Sequence, residues 1–120
     1  MKEPAHLDLV FSALADPTRR AILARLATGA ATVNELAAPF DLAQPSISRH
    51  LKVLEDAGLI ARGRDAQRRP RSLVVGGPLR EVDCWLGPFR QQWEQRLDRL
   101  ESLLERKRTG KKRAKPGTAQ

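Results

Sequence analysis

The chain has 120 residues, 41% of them hydrophobic and 30% charged, with a formal charge of +8 at neutral pH. That is the size of one ordinary domain with room for one core, which argues against a multi-domain enzyme. No uninterrupted apolar run approaches the ~20 residues that a bilayer span needs. The amino-terminal stretch MKEPAHLDLVF lacks the plan of a secretory signal, so the expectation is a cytoplasmic protein with no membrane partner. The single cysteine, Cys84, allows no internal disulfide and no multi-cysteine metal site.

The charge is uneven. Residues 106–120 carry seven basic groups and no acid, so residues 1–105 are net +1. Within them, the stretch from Gln44 to Arg71 holds seven basic residues against three acids, and the rest is net −3. One electropositive stretch on an otherwise acidic body is the footprint of a polyanion-binding face. On charge alone, a solvated cluster on an exposed element accounts for it equally well.

In chain order, Leu7, Val10, Phe11 and Leu14 fall at helical spacing and predict a short amphipathic helix. Asp16-Pro17 then starts a second helix over about 17–28: the carboxylate accepts orphan backbone N–H groups, and proline at the first helical position loses no hydrogen bond. Ala21, Ile22, Leu23 and Leu26 form its inward stripe up to Gly29. Thr32 with Glu35 makes a capping-box pattern for a third helix, with Val33, Leu36 and Ala37 inward until Pro39 cuts it short.

A fourth helix is predicted from Gln44 to Gly58, and its two sides differ. Ile47, Leu51 and Leu54 recur at buried spacing, while Gln44, Ser46, Ser48, Arg49 and Lys52 are left for the exposed side. Short hydroxyls, an amide and cations suit base edges and phosphates. Leu59–Arg64 and Arg71–Val75 then read as two strands of a hairpin with an arginine-rich tip. After Gly76-Gly77-Pro78, a long helical pattern runs through Leu79, Val82, Leu86, Phe89, Trp93, Leu97, Leu100 and Leu104. Pro88 inside it predicts two helices, or one kinked one, with the joint near 87–88. The expected organisation is a domain over 1–105 and a basic, disordered tail over 106–120.

Short helices, a hairpin and a terminal helical arm make a winged helix-turn-helix layout, mainly α with a small β-hairpin. The strings Ala13-Leu14-Ala15-Asp16-Pro17-Thr18-Arg19-Arg20-Ala21-Ile22-Leu23, Gln44-Pro45-Ser46-Ile47-Ser48-Arg49-His50-Leu51-Lys52-Val53-Leu54 and Ala57-Gly58-Leu59-Ile60, in this order and spacing, resemble the ArsR-type bacterial transcriptional repressors. The resemblance covers about residues 7–105. Members of that family are homodimers that bind imperfect palindromic operators and dissociate when an effector or metal binds. The resemblance therefore implies a homodimeric repressor of double-stranded DNA whose recognition helix is 44–57 and whose wing is the hairpin 59–75.

Candidate readout residues are Gln44, Ser46, Ser48 and Arg49, with Lys52 on phosphate. His50 is either a phosphate contact or a satisfied surface histidine. Arg62, Arg64, Arg68, Arg69 and Arg71 supply the wing, since arginine suits a narrow, negative minor groove. Leu7, Val10, Phe11, Trp85, Phe89, Trp93, Leu97, Leu100 and Leu104 are the candidate dimer interface, because the carboxy-terminal pattern carries more apolar surface than a small body easily covers.

Many members of the family sense metals through a Cys-x-Cys pair in the helix matching 32–38, or through Asp and His pairs on the dimer helix. Neither set is present, so no metal or cofactor is expected and the effector stays open. Cys84 is read as a core or interface residue. Many relatives also carry a serine at Ala43; without that cap the front of the fourth helix loses about 1 kcal/mol unless Asp41 or a backbone turn substitutes. No Ser-His-Asp, HExxH or glycine-rich phosphate loop points to an enzyme. Two other classes stay open: a protein-interaction module on a winged-helix body, and a non-specific nucleic-acid binder acting through the tail.

Overall fold

The computed structural model of the chain describes residues 7–64 and 69–112, with side chains as far as 109. The elements are α1 (Leu7–Leu14), α2 (Pro17–Leu26), α3 (Val33–Ala37), a 3-10 turn (Ala38–Phe40), α4 (Gln44–Asp56), β1 (Ile60–Arg62), β2 (Arg71–Leu73) and α5 (Pro78–Lys112). The chain divides into two compact units, Met1–Cys84 and Trp85–Gln120. Among the described residues, α5 is the sole element of the second unit.

The helix starts follow local chemistry. Asp16 Oδ2 accepts from the Arg19 backbone N–H at 2.9 Å, with Pro17 at the head of α2. Thr32 and Glu35 close a full capping box on α3: Thr32 Oγ1 accepts from Glu35 N at 3.3 Å, and Glu35 Oε1 accepts from Thr32 N at 2.8 Å. Ala43 gives α4 no side-chain cap. A backbone turn covers one orphan donor, since Ser46 N donates to the Ala43 carbonyl at 3.0 Å beside the ordinary first helical bond from Ile47 N at 3.2 Å, while Pro45 has no N–H to satisfy.

At its other end α4 stops in a Schellman arrangement. Leu59 N donates to Leu54 O at 3.0 Å and Gly58 N to Glu55 O at 2.9 Å, with Gly58 at φ 76°. A side chain at Gly58 would be strained by that φ and would also meet Pro78 Cγ at 3.2 Å.

The core of the first unit gathers Val10, Ala13, Ile22, Leu23 and Leu26 from α1 and α2, Leu36 from α3, Ile47, Leu51 and Leu54 from α4, and Leu59 and Ile60 beyond it. Leu79 and Val82, at the start of α5, pack against the same cluster. Several predicted positions settle differently. Ala21 is exposed, because the inward stripe of α2 is narrow. Cys84 is exposed, not part of the core.

β1 and β2 pair antiparallel, with Ile60 opposite Leu73 and Arg62 opposite Arg71. Ala31 bridges the outer edge of β2 through Ala31 N to Arg71 O at 3.0 Å and Arg71 N to Ala31 O at 2.7 Å. The hairpin is thereby fixed to the loop before α3. Its tip residues 65–68, Arg68 among them, lie outside the described residues.

α5 runs unbroken through Gly87 and Pro88, so the predicted division into two helices does not occur. Proline at 88 removes one intrahelical bond, to the carbonyl of Cys84, a residue that is exposed to solvent. The helix also continues past Glu105 to Lys112, into the segment expected to be a disordered tail; arginine and lysine are good helix formers once a helix has been started. Residues 113–120 lie outside the described residues.

Candidate nucleic-acid interface

The candidate surface is built on α4. Ile47, Leu51 and Leu54 are at most 1% exposed and anchor the helix, so its opposite side is presented outward. Gln44, Ser48, Arg49 and Lys52 lie on that outward side and are exposed; Ser46 and His50, on the flank, are half-buried. The predicted readout set is therefore brought to one helix side, with Ser46 set back from its centre.

Four neighbours shape this side-chain array. Gln44 Nε2 donates to Asn34 Oδ1 of α3. Lys52 Nζ pairs with Asp56 Oδ1 at 3.1 Å, one turn away. Both members of that pair are exposed, so it holds lysine weakly, by about 0–1 kcal/mol, and leaves it able to exchange partners. His50 Nδ1 stands 3.3 Å from Arg19 Nη1 and 3.9 Å from Asp16 Oδ2.

That last group is a joint between helices. Arg19 Nε donates to Ala13 O at 2.8 Å and Nη2 to Ser12 O at 3.2 Å, tying the end of α1 to α2. The backbone N–H of Arg19 holds the Asp16 carboxyl below its usual value of 3.8, with the charges of His50 and Arg19 acting in the same direction. His50 is accordingly a partnered histidine beside the candidate readout side chains. Sequence reasoning found the Asp16 cap but missed Arg19, whose histidine neighbour lies far away in the chain.

The arginines of the hairpin divide into two kinds. Arg71 is 7% exposed and turned inward: Nε donates to Glu55 Oε2 at 2.8 Å and Nη1 to the Arg69 carbonyl at 2.5 Å. Its expected place on the DNA-facing wing is corrected accordingly, because a guanidinium so enclosed and turned onto Glu55 presents little surface to a phosphate. Arg62 Nε reaches the same carboxylate at 3.1 Å, yet its side chain stays 45% exposed. Arg64 and Arg69 are exposed, Arg69 at a positive φ of 39°.

The candidate dimer residues also divide. Leu7 and Val10 are 1% and 0% exposed within their own chain and are unavailable to a partner, which corrects that part of the expectation. Phe11 is 37% exposed. In the second unit, Trp85, Phe89, Trp93, Leu97, Leu100 and Leu104 are all exposed, and the rings of Trp85 and Phe89 lie 5.0 Å apart, tilted by 44°. Among the described residues, no group of three metal-ligating side chains comes together and no helix is long and apolar enough to cross a membrane.

A short helix leading into an anchored helix with an outward polar side, followed by an antiparallel hairpin, defines a winged helix-turn-helix protein. The sequence pattern of a helix-turn-helix domain matches residues 14–62. The crystal structure of an ArsR family transcriptional regulator is 45% identical, with a TM-score of 0.66, over 74% of this chain and 97% of that one. The chain belongs to the ArsR family, a family of DNA-binding transcriptional regulators. It is also 47% identical over 70 residues to the HTH-type transcriptional regulator Rv2034 of Mycobacterium tuberculosis, covering 58% of this chain and 65% of that protein. With the transcriptional repressor SdpR of Bacillus subtilis it shares 45% identity over 58 residues, covering 48% of this chain and 64% of that protein. The matched region thus spans just under two thirds of the length of these curated relatives.

Proposed function

We propose that the chain is a sequence-specific DNA-binding repressor that grips a palindromic operator as a homodimer, in the compartment that holds the DNA. α4 enters the major groove. Gln44 and Ser48 meet base edges, Ser46 supports them from the flank, Arg49 meets guanine or phosphate, and Lys52 exchanges Asp56 for a phosphate. Arg62, Arg64 and Arg69 place the hairpin against the neighbouring minor groove or backbone. Repression is the output that the names of two relatives support, SdpR and the biofilm growth-associated repressor of Agrobacterium fabrum.

The observation that carries this reading is the two-sided character of α4: three fully buried aliphatic anchors, and an amide, a hydroxyl and two cations on the exposed side. A second copy docks along the exposed apolar stripe of α5, and pairing makes the second half-site contact intramolecular, at raised effective concentration.

Selection of duplexes from a random pool by the full chain, followed by mobility shifts over a range of salt, tests the proposal. The expected result is a two-fold symmetric site with half-sites about 10 bp apart, centre to centre, and affinity that falls steeply with salt. Ser48→Ala with Arg49→Ala should remove the preference for that site. Binding that ignores sequence would leave the tail-driven, non-specific alternative in its place.

A further inference from the structure

We propose that Asn34, on the helix before the recognition helix, is a positioning and specificity-determining residue, and that its carboxamide and that of Gln44 act as one composite edge selecting an adenine in the major groove. This rests on the reading of α4 as the recognition helix.

The hydrogen bond from Gln44 Nε2 to Asn34 Oδ1 joins two exposed side chains. A neutral bond in that setting adds little to stability, because water competes for both groups. Its consequence is orientation. Gln44 heads a helix with no side-chain cap, and a free glutamine there has several rotamers to lose on binding. Asn34 sits on a firm mount: it lies between the two members of the Thr32–Glu35 capping box, and Leu36, two residues on, is 1% exposed. A bond of that size biases the glutamine toward this rotamer before DNA arrives, without locking it.

The bond also sets what remains to be offered. It uses one N–H of Gln44 and one lone pair of Asn34 Oδ1, which leaves Gln44 Oε1 as the unengaged acceptor and Asn34 Nδ2 as the unengaged donor group, beside a second N–H on Gln44 and a second lone pair on Asn34 Oδ1. Turning both amides over exchanges these roles and leaves the count the same. Neither side chain makes another polar contact among the described residues. In the major groove adenine alone presents one donor, N6–H, beside one acceptor, N7; guanine presents two acceptors, thymine an acceptor and a methyl group, and cytosine a donor. Adenine is therefore the base that matches both halves of the pair, N6–H donating to Gln44 and N7 accepting from Asn34.

The test uses the site enriched by the wild-type chain and measures affinity for every single-base substitution in it. At one A·T position in each half-site, wild type should lose about ten-fold on substitution. Asn34→Ala should lose most of that discrimination while keeping preferences elsewhere in the site. Asn34→Asp still accepts from Gln44 but replaces the outward donor by an acceptor, so its preference at that position should move toward cytosine. A single-base profile for Asn34→Ala that coincides with wild type overturns the inference, as does a uniform loss of affinity for all sequences, which would mark a purely structural role. A wild-type chain that enriches no sequence overturns the recognition-helix reading itself, and the inference with it.

Discussion

The first unit and the long helix beyond Trp85 are written in the same helical periodicity, yet they use it in opposite ways. In the first, Ile22, Leu51 and Leu54 are at most 1% exposed, because five elements converge on them. In the second, Trp93, Leu97 and Leu100 recur at the same steps of three and four and stand more than half exposed. Periodicity specifies that a face will be covered; what covers it is decided by how many other elements are at hand. The body closes its core within one chain, and the helical stripe is left exposed, the surface on which the proposed second copy docks.

The sharpest way to break that contrast is a pair of equivalent truncations. Leu51→Ala should cost about 2–5 kcal/mol in urea unfolding, because it opens a cavity in a packed core. Leu97→Ala should leave unfolding of the isolated chain nearly unchanged and instead weaken self-association in sedimentation. Equal stability costs for both would abolish the distinction between a closed core and an open stripe.

A smaller effect separates the arginines of the hairpin. Arg71→Ala, which leaves Glu55 with Arg62 as its one cation among the described residues, should destabilise the fold by about 1–3 kcal/mol. Arg69→Ala, on an exposed residue, should stay within about 0.5 kcal/mol and act on DNA affinity, lowering the salt slope by about one contact. The reverse order would mean that Arg71 faces the nucleic acid after all.

The smallest effect concerns the cap between α1 and α2. Asp16 titrates below its usual 3.8 in the folded chain, chiefly through the Arg19 backbone N–H, so its contribution is present above that value and is lost as the pH falls through the lower folded one. Asparagine also caps helices but does not titrate, so Asp16→Asn should flatten the acid side of a urea-midpoint profile below about pH 4. An unchanged acid side would detach Asp16 from the stability of the joint.

Much of this architecture was legible because its determinants are close in the chain. Asp16 reaches Arg19, and Thr32 reaches Glu35, each within one helical turn. The Ile47, Leu51 and Leu54 stripe follows from period alone, and with it the outward side of α4. Illegible features depend on partners that only folding brings together: Arg71 on Glu55, Arg19 beside His50, and Gln44 on Asn34. Arginine looks the same in a sequence whether it faces phosphate or a buried carboxylate. The inward turn of Leu7 and Val10 was missed for a related reason, since an amphipathic pattern names a face without naming the surface that meets it.

Glu55 belongs to α4, and its carboxylate is shared by Arg62 and Arg71 at opposing positions of the two strands. Helix and hairpin are therefore joined through one carboxylate, which gives their outward sides a common reference. A joint already made in the free chain leaves less ordering to be done on contact. On the proposed DNA-binding reading, grooves that do not match this reference are met either by parting that shared carboxylate or by bending the double helix.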